Sequence, residues 1–571
     1  MADVIVVGAG HNGLICAAYL ARAGIDTLLV EARADVGGCA STVSDLGARF
    51  NICSCDHTLI RAMPIADELE LGAHGLRYLE SDALGLHLFH DGADPWLLFH
   101  EVDRTIDAVA AGYPSQVEGY RRYVADAIPV AELVIDIART TPTAPRLIGR
   151  AASARRAGAA ARLLDWSRRS AEEVFARYFD DWHVTMPAIA AGPTVWGVPP
   201  STPGTGLAAL AYATRHLTRT GRPAGGSGAL TDATRAAFEA AGGATRCDSR
   251  VDRILLDDGR VAGVRLTDGT ELRAPVVVAA CDPQRVIVDW LTDPPAAARA
   301  LVRRWRSRPT KDGYESKLDA VIDGVPTYRA ADVLTDRHPT TDLHGPTATV
   351  SPSPAELADA HTGLAEGRVA ARPTLLMNVP SVADPSMRTA AGHHVLSLEV
   401  LFTPYRIPGG WEASEEPDRW LDLWAGFVGP GARGTIRQMR VMTPERYETE
   451  FSMHRGYTPA YAGSPLSALL ARQPELTRYR TPIEGLYLSG AGTFPGAGVF
   501  GAAGRNTAAV VERDLIGHAF RRTGRRVGRR ATAGARQLAE AVSVRSGIGG
   551  ASTGGPEPGA ASGLESGEGS R

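Results

Sequence analysis

The hexapeptide Gly8–Gly13, Gly-Ala-Gly-His-Asn-Gly, contains the residues whose types and spacing are best suited to bind a dinucleotide. Gly8 allows a tight turn, Gly10 allows backbone amides to approach a pyrophosphate, and Gly13 allows a following helix to lie close to a sheet. Glu31 can accept hydrogen bonds from the hydroxyls of an adenosine ribose. These residues predict a nucleotide cofactor; the alternative is a glycine-rich turn with a packing role only.

The segments around this loop have the pattern of a Rossmann unit. Asp3–Val7 is a short apolar run rich in β-branched residues, which predicts a buried parallel strand. Leu14–Ala23 predicts an amphipathic helix that ends at Gly24. Thr27–Val30 predicts a second strand, which ends on Glu31. Strand, glycine loop, helix, strand and acid therefore occur in the order that dinucleotide binding requires.

A second glycine pair follows the acid and favours a flavin dinucleotide over NAD. The chain runs from Glu31 through Arg33 to Gly37-Gly38, a segment that an NAD domain does not need but that an extended flavin cofactor passes over. The pattern G-x-G-x-x-G, E-x-R and G-G resembles the FAD-dependent amine oxidase and phytoene desaturase superfamily. The opening G-A-G-H-N-G-L is most similar to bacterial phytoene-dehydrogenase-related proteins and to pyridine nucleotide-disulfide oxidoreductase domain 2 proteins. This resemblance covers the order of elements over residues 1–518.

Near the other end of the chain, a second glycine-rich loop supports the same resemblance. Gly485–Ser489 predicts a strand, Gly490–Gly501 forms the loop, and Ala502–Arg513 predicts a helix. The loop resembles the G-A-G-T-x-P-G-A-G segment of phytoene desaturases. The resemblance implies that the loop runs along the ribityl chain and under the isoalloxazine. It also implies that a helix starting near Val499 points its positive end at flavin N1 and O2, and that Val251 lies against the adenine.

FAD is the cofactor that these segments predict. The sequence has no spacing typical of a metal site, of a Ser-His-Asp set or of a P-loop. The predicted cofactor-binding residues are Gly8, Ala9, Gly10, His11, Asn12, Gly13, Glu31, Ala32, Arg33, Gly37, Gly38, Cys39, Ala40, Val251, Gly490, Ala491, Gly492, Gly498, Val499 and Phe500.

The predicted fold class is α/β, with a discontinuous Rossmann-like FAD-binding domain, an inserted helical lid and a mixed-sheet substrate domain. Thr245–Leu256 and Val261–Leu266, separated by a D-D-G-R turn, predict a β-meander. Leu318–Ile322, Thr374–Val379 and His394–Phe402 predict the floor of a ligand cavity. The predicted boundaries are 1–105, 215–285 and 451–518 for the three FAD-binding parts, 106–214 for the lid, 286–450 for the substrate domain, and 519–571 for a basic and then disordered tail.

Lys317 is the side chain that we single out as a candidate catalytic group. Lys311 and Lys317 are the only lysines among 61 basic residues, and a lysine retained in a strand suggests a need for a compact, tunable charge. Some flavin amine oxidases place a lysine near flavin N5; the alternative is a surface lysine on an edge strand. His454 is the second candidate, since it precedes the final flavin strand together with Tyr457 and Tyr461. All three of these could line the cavity.

Cysteine and histidine usage adds little further chemistry. The six cysteines include no C-x-x-C pair, so disulfide-reductase chemistry is not expected. Cys53 and Cys55 have the wrong spacing for a redox pair and are interpreted as buried free thiols. His57 follows the first flavin loop and is either a cavity residue or, more commonly for a single histidine, a structural one.

Composition and charge exclude several classes of function. At 571 residues and 44% hydrophobic content, the chain can hold two or three domains, and a net charge of -3 gives no case for nucleic-acid binding. The chain starts on a strand, so no signal peptide is expected, and no stretch approaches the roughly 20 apolar residues of a spanning helix. A cytoplasmic location is therefore predicted. The arginines of the lid and of the tail favour either a peripheral contact with an anionic membrane or solvated surfaces.

The expected activity is FAD-dependent dehydrogenation of a C–H bond in a hydrophobic or amphipathic small molecule, as in phytoene desaturases. Arg49–Ser54 departs from the desaturase pattern, which leaves the substrate open. The chain has no second NAD(P) fingerprint, so oxygen, a quinone or a carrier is expected to accept the electrons. The alternatives are a double-bond isomerase that uses reduced FAD, a flavin amine oxidase, and a flavin-free lipid carrier like the GDP-dissociation inhibitors. The oligomeric state is left open.

Overall fold

The computed structural model describes residues 2–53, 55–141, 143–151, 154–191, 197–309, 311–457 and 470–516. It separates into two units, Met1–Glu512 and Arg513–Arg571, and the architecture below belongs to the first unit. Tyr461 and the predicted tail lie outside the described residues. Among the described residues, no helix is both long enough and apolar enough to cross a membrane.

Most strands of the described chain belong to two large sheets. In chain order the strands are β1 (Val4–Val7), β2 (Thr27–Val30), β3 (Thr42–Asp45), β4 (Ala48–Asn51), β5 (Tyr78–Leu79), β6 (Ala83–Phe89), β7 (Trp96–Phe99), β8 (Arg222–Pro223), β9 (Ala244–Arg246), β10 (Val251–Asp257), β11 (Arg260–Leu266), β12 (Glu271–Arg273), β13 (Val276–Ala279), β14 (Tyr314–Ile322), β15 (Ala348–Ser351), β16 (Leu375–Asn378), β17 (His394–Thr403), β18 (Ile436–Met442) and β19 (Leu486–Leu488).

Most of the helices lie between these strands in the order of the chain. In chain order they are α1 (His11–Arg22), α2 (Ile65–Glu68), α3 (Val102–Gly112), α4 (Val117–Ala138), α5 (Ala144–Ala151), α6 (Ala154–Trp166), α7 (Ala171–Phe175), α8 (Trp182–Ala191), α9 (Ala211–Leu217), α10 (Gly228–Ala240), α11 (Arg299–Arg306), α12 (Ala331–Arg337), α13 (Pro354–Glu366), α14 (Glu416–Ala425) and α15 (Pro444–Phe451). A short helix, Pro474–Thr477, and a helix that begins at Ala502 follow.

The first sheet is parallel and has the strand order β19-β13-β1-β2-β9. β1 lies at its centre and pairs with β2 and β13 along its whole length. All four β1 residues are buried, as expected for a parallel strand covered on both faces. The predicted Rossmann unit of strand, loop, helix and strand is therefore confirmed.

The strand predicted for Thr245–Leu256 is in fact two strands in different sheets. β9 ends at Arg246 beside β2, whereas β10 begins at Val251 and pairs with β11 in a three-stranded meander. Asp248 adopts a positive φ of 51° between them. The Asp248 amide donates to the Arg33 carbonyl, and the Ser249 amide donates to the Glu31 carbonyl. These bonds turn the chain beside the end of β2, a long-range effect that apolar alternation along the segment does not encode.

The second large sheet has the strand order β18-β14-β17-β16-β15-β6-β7 and is antiparallel except for β15 and β6. Its first strands in the chain, β6 and β7, come from the segment predicted as the first FAD-binding part. The predicted segment 1–105 thus contributes to both sheets. Between β7 and β8 the described residues form helices and connecting segments only, in agreement with the expectation of a helical region there.

The two faces of this second sheet differ in chemistry because side chains alternate along each strand. One face is apolar: Leu318 on β14 lies opposite Leu398 on β17, and both belong to a buried cluster with Trp420 and Trp424. The opposite face carries charge, since Lys317 on β14 lies directly across from Glu399 on β17.

Candidate functional site

A groove runs along the carboxyl ends of the parallel strands, where open α/β sheets usually bind ligands. We call it the glycine groove. The predicted site residues that line it are Gly8, Gly10, His11, Asn12, Gly13, Glu31, Ala32, Arg33, Gly38, Cys39, Val251, His454, Gly490, Ala491 and Gly492. Residues far apart in the chain therefore meet at one site, as the resemblance implied. Sequence reasoning did not identify Arg285, Trp290, Phe451 and Met453, which also line the groove.

The three glycines of the first loop have distinct roles. Gly8 has a positive φ of 96°, which permits the turn out of β1. A Cβ added to Gly13 would overlap the Gly8 carbonyl oxygen, so α1 approaches the turn more closely than any side chain allows. A Cβ added to Gly10 would meet no atom within 4 Å. Gly10 thus borders open space in the groove, whereas Gly13 is a packing position.

The start of α1 is suited to an anion. The helix begins at His11 after Gly10, and no side chain among the described residues caps this end. The first amides of an uncapped helix remain available as donors, and the helix dipole favours negative charge there. Burial lowers the pKa of His11 to about 4. His11 is therefore neutral near pH 7, and the attraction for an anion comes from the backbone.

Glu31 follows β2 and is 9% exposed. Its Oε2 accepts the Ala9 amide at 2.7 Å, and its Oε1 accepts the Arg33 amide at 2.9 Å. A carboxylate has about four acceptor sites, so these two bonds leave capacity for further donors on the groove side. Glu31 is thus held in place by backbone amides and remains able to accept hydrogen bonds from hydroxyl groups.

The segments that carry the first and the last glycine loops meet beside α1. The His11 ring bonds the backbone of Gly498, and Asn12 Oδ1 accepts the Gly504 amide at 3.3 Å. A Cβ on Gly504 would overlap the Asn12 carbonyl oxygen. The last helix begins at Ala502 and not near Val499, because the backbone of 498–501 contains two positive-φ glycines and is not helical.

Six predicted cofactor-binding residues do not line the glycine groove. Ala9, Gly37 and Ala40 support it, since the Gly37 amide donates to the Ala9 carbonyl at 2.8 Å and Ala40 is buried behind the turn. Gly498 contacts His11. The Val499 carbonyl accepts the Ile60 amide at 3.0 Å. Phe500 is buried. Their predicted roles toward a cofactor remain predictions.

Lys317 also lies away from the groove. It is 1% exposed, its Nζ donates to the Asn51 carbonyl, and it forms an ion pair of 2.7 Å with Asp319. Asp319 is in turn paired with Arg440 at 3.0 Å. Lys317 is thus a buried member of a charged cluster and not a surface lysine on an edge strand. Its predicted catalytic role remains a prediction.

Glu399 is a candidate functional residue that sequence reasoning missed. Burial raises its pKa to about 7, although the nearby charge of Lys317 acts to lower it. None of the hydrogen bonds among the described residues involves its carboxylate, and its side chain is only half-buried. The available signal was a single acid in β17, a strand whose other residues are mostly apolar. We call Lys317, Asp319 and Glu399 the charged face of the second sheet.

The histidine candidates differ in their surroundings. His454 lines the glycine groove, with its Nδ1 buried 3.9 Å from Glu448 and without a hydrogen-bond partner among the described residues. Tyr457 also lines the groove. His57 is completely buried; its Nε2 lies 2.9 Å from Ser227 Oγ and its Nδ1 lies 3.2 Å from Tyr78 OH. Because His57 is buried and bonded on both nitrogens, the structure supports its structural interpretation.

Taken together, the residues present fit a dinucleotide. The groove offers free space at Gly10, an uncapped helix end, and an acid with unused acceptor capacity. These features match the requirements of a pyrophosphate and a ribose.

Comparison with known proteins agrees with this geometry. Residues 6–62 match the model of the NAD(P)-binding Rossmann-like domain. The chain is 26% identical to the lycopene-forming phytoene desaturase of Pantoea ananas over 90% of this chain and 100% of the relative. A putrescine oxidase triple mutant shares the fold, with a TM-score of 0.56 at 16% identity over 90% of this chain and 99% of that one.

The relative that establishes the family is the pyridine nucleotide-disulfide oxidoreductase domain-containing protein 2 of Rattus norvegicus. It is 30% identical over 554 residues, which cover 90% of this chain and 94% of the relative. The chain therefore belongs to the pyridine nucleotide-disulfide oxidoreductase domain 2 family, among oxidoreductase homologues that include phytoene desaturases.

Proposed function

We propose that this protein is an FAD-dependent dehydrogenase that removes hydride from a C–H bond of an amphipathic small molecule. The observation that carries the proposal is the glycine groove, which joins the first loop at Gly8–Gly13 to the last loop at Gly490–Gly492. An NAD site needs only the first of these loops. A groove that continues past the Gly37-Gly38 turn to a second glycine loop suits the longer flavin dinucleotide.

The residues of the groove would bind the adenosine and pyrophosphate parts of FAD. The α1 N-terminus would bind the pyrophosphate, Glu31 the ribose, and Val251 the adenine side of the groove. When bound, FAD supplies the hydride acceptor of the reaction. The protein then has to position the substrate, exclude water and control nearby charge. A reduced cofactor would pass its electrons to oxygen, a quinone or a carrier.

The charged face supports an amphipathic substrate over a pure hydrocarbon. Cys53 contacts Cys39 of the groove, and the charge of Glu399 acts on the Cys53 thiol. The charged face does not line the groove, but its charge reaches a cysteine next to one end of it. That cysteine, Cys53, is half-buried and not buried as the sequence predicted. The half-buried Glu399 carboxylate faces Lys317 across the strands but accepts no hydrogen bond from the described residues. A substrate with a hydroxyl or amino group would supply such a donor, whereas a hydrocarbon would not.

The same residue favours flavin amine oxidase activity as a second candidate. If a substrate extends from the groove to the charged face, the Glu399 carboxylate could bind its ammonium and orient its α C–H bond. This activity would convert an amine into an imine, which water hydrolyses to a carbonyl compound and ammonia. Release of ammonia therefore separates the two candidates.

The test begins with the visible absorption spectrum of the purified protein and chromatography of the released cofactor. We expect a two-band flavin spectrum and FAD in the supernatant after denaturation. Candidate alcohols, terpenoids and amines are then screened for anaerobic bleaching of the flavin bands. A colourless protein that fails to take up added FAD, or that releases only a nicotinamide dinucleotide, would overturn the proposal.

A further inference from the structure

The polar side of the second sheet extends beyond the charged face as far as β6. The strand register places His87 opposite Thr349, and Thr349 opposite Leu376. Leu376 lies in turn opposite Glu399. Because directly paired residues point to the same face of a sheet, these side chains form one row, in which His87 and Glu399 are three strands or about 14 Å apart. Leu376 and Glu399 are half-buried, so packing leaves part of this row uncovered.

His87, at one end of the row, has unused bonding capacity. It is 2% exposed, and neither of its ring nitrogens has a hydrogen-bond partner among the described residues. Its ring packs against Trp96 and Tyr212, with centroid distances of 4.3 and 6.2 Å. Burial lowers the pKa of His87 well below its ordinary value, so the ring is neutral near pH 7. Buried polar groups without a partner are costly and rare, and a ligand beside the ring would remove this cost.

Arg215 on α9 is the charged group that meets His87. A Cβ added to Gly85 would lie 3.2 Å from His87 Cε1 and 3.3 Å from Arg215 Nη1, so the two side chains converge over Gly85. Arg215 is half-buried, and its Nη1 donates to the Leu84 carbonyl at 3.3 Å. It forms no ion pair with any residue that the structure describes. Arg215 is therefore a partly desolvated cation without a carboxylate partner.

The charges around Arg215 do not cancel. Asp56 is the acid whose charge acts on Arg215, but Asp56 is paired with Arg222 at 2.7 Å. Two guanidinium groups and one carboxylate leave one positive charge. The charge of Asp56 also acts on Glu399, which links this region to the charged face. Because a charge removed from water without a partner is costly, a ligand with one negative charge would suit the space beside Arg215.

We propose that Arg215 and His87 bind a carboxylate of the substrate, so that the amphipathic substrate is a carboxylic acid. The remaining N–H groups of Arg215 would donate to the carboxylate oxygens, the pairing for which a guanidinium is best shaped. The N–H of the neutral His87 ring would donate a further hydrogen bond. The rest of the molecule would extend along the row past Leu376 toward Glu399. That the bound acid is the substrate rests on the proposed function, whereas its binding at Arg215 does not.

The experiment measures binding by isothermal titration calorimetry. The probes are hexanoate, decanoate and hydrocinnamate, each beside its primary amide, and inorganic phosphate. We expect at least one acid to bind about ten-fold or more tightly than its amide, a difference of about 1.4 kcal/mol. The proposal is overturned if no acid binds, if every acid binds only as tightly as its amide, or if phosphate binds as tightly as the best acid.

Variants assign the acid to this site. Arg215→Met should weaken binding of the acid by about ten-fold or more and leave binding of the amide unchanged. His87→Gln should weaken the acid by roughly three-fold, because it alters one neutral hydrogen bond. Arg219→Met is the matched control, since Arg219 is exposed and paired with Glu80, and it should bind the acid as the unmodified protein does. Equal losses in Arg215→Met and Arg219→Met would overturn the proposal.

Stability separates a ligand-binding role of Arg215 from a structural one. Arg215→Met removes a charge without an ionic partner, so the melting temperature of the ligand-free protein should not fall. Lys317→Met removes a charge that is paired with Asp319, so it should lower the melting temperature. A fall in Arg215→Met as large as that in Lys317→Met would show that Arg215 serves the fold, and it would overturn the proposal.

The binding and melting measurements need no turnover, so they can fail separately from the proposed function. A protein that prefers an acid through Arg215, but holds no FAD and is bleached by no compound, would contradict the proposed function alone. A flavin that is bleached only by compounds without a carboxylate would overturn this inference and leave the proposed function standing.

Discussion

The glycine groove and the charged face differ in the groups that form them: the groove is formed by backbone, and the charged face is formed by side chains. The groove is formed by backbone groups where side chains are missing, as at Gly10, where a Cβ would meet open space. The charged face is formed by charged side chains, of which Lys317 and Asp319 are each 1% exposed and Glu399 is half-buried. The groove depends on close approach of main chains, whereas the charged face depends on compensation of charge. Substitutions in the two regions should therefore reduce stability or cofactor affinity for different physical reasons.

The largest effect on stability is expected for Lys317→Met. Removing the amine breaks the buried ion pair with Asp319, which keeps only Arg440 as a positive partner, and it removes the positive charge that faces Glu399. Breaking a buried pair in this way costs about 3 to 5 kcal/mol. Urea unfolding should show this loss in the free energy of unfolding.

Lys311 provides the matched control, because it is the other lysine of the chain and is exposed. Lys311→Met should change the free energy of unfolding by under about 0.5 kcal/mol. Equal effects of the two substitutions would show that the charged face is not an electrostatic cluster.

Gly13→Ala should have the next largest effect. The added Cβ would overlap the Gly8 carbonyl oxygen, so α1 must move away from β1. Overpacking of this kind typically costs about 1 to 3 kcal/mol. Thermal unfolding of the cofactor-free protein measures the loss, and an unchanged midpoint would contradict the close approach of helix and turn.

A smaller, pH-dependent effect is expected for Glu399→Gln. Because the folded state raises the pKa of Glu399 from 4.5 to about 7, the native protein binds more protons than the unfolded chain between these values. The free energy of unfolding contributed by this group therefore falls as pH rises from about 5 to about 7. The Gln variant lacks this slope.

The measurement is a set of urea unfolding curves for both proteins across that pH range. Glu132→Gln, at an exposed acid in α4, is the control and should keep the slope of the unmodified protein. A difference between the unmodified protein and Glu399→Gln that does not vary with pH would rule out an elevated Glu399 pKa.

The smallest effect on stability is expected for Gly10→Ala. Its Cβ would enter open space and its φ of -66° suits alanine, so the free energy of unfolding should change by under about 0.5 kcal/mol. If a pyrophosphate occupies that space, FAD affinity should fall by about ten-fold, or about 1.4 kcal/mol. Fluorescence titration with FAD measures the affinity. Unchanged affinity would place the phosphates elsewhere.

The first Rossmann unit was predictable because its signals are local. Val4–Val7, the three glycines and Glu31 occur within one strand-helix-strand segment, and each residue type has a direct conformational reason. The break between β9 and β10 was not predictable in this way. It depends on hydrogen bonds from Asp248 and Ser249 to residues beyond the end of β2.

The charged face shows the same limit of prediction from the sequence. Lys317 was recognised as unusual because the chain has only one other lysine, but its burial and its position opposite Glu399 follow from pairing between β14 and β17. Glu399 was missed because one acid in an apolar strand has no local pattern to identify it. Spatial proximity of Cys39 and Cys53 likewise depends on the register of a hairpin and not on their spacing.

The sequence by itself determined the positions where a side chain had to be absent and the order of the first strands and helix. Glycine spacing and apolar runs act on neighbouring residues, so they can be recognised along the chain. Only the tertiary structure decided which charges are buried together, which cysteines meet, and how the last loop reaches the first. Those outcomes depend on strand pairing between distant segments, where burial and not sequence spacing sets the electrostatic energy of each group.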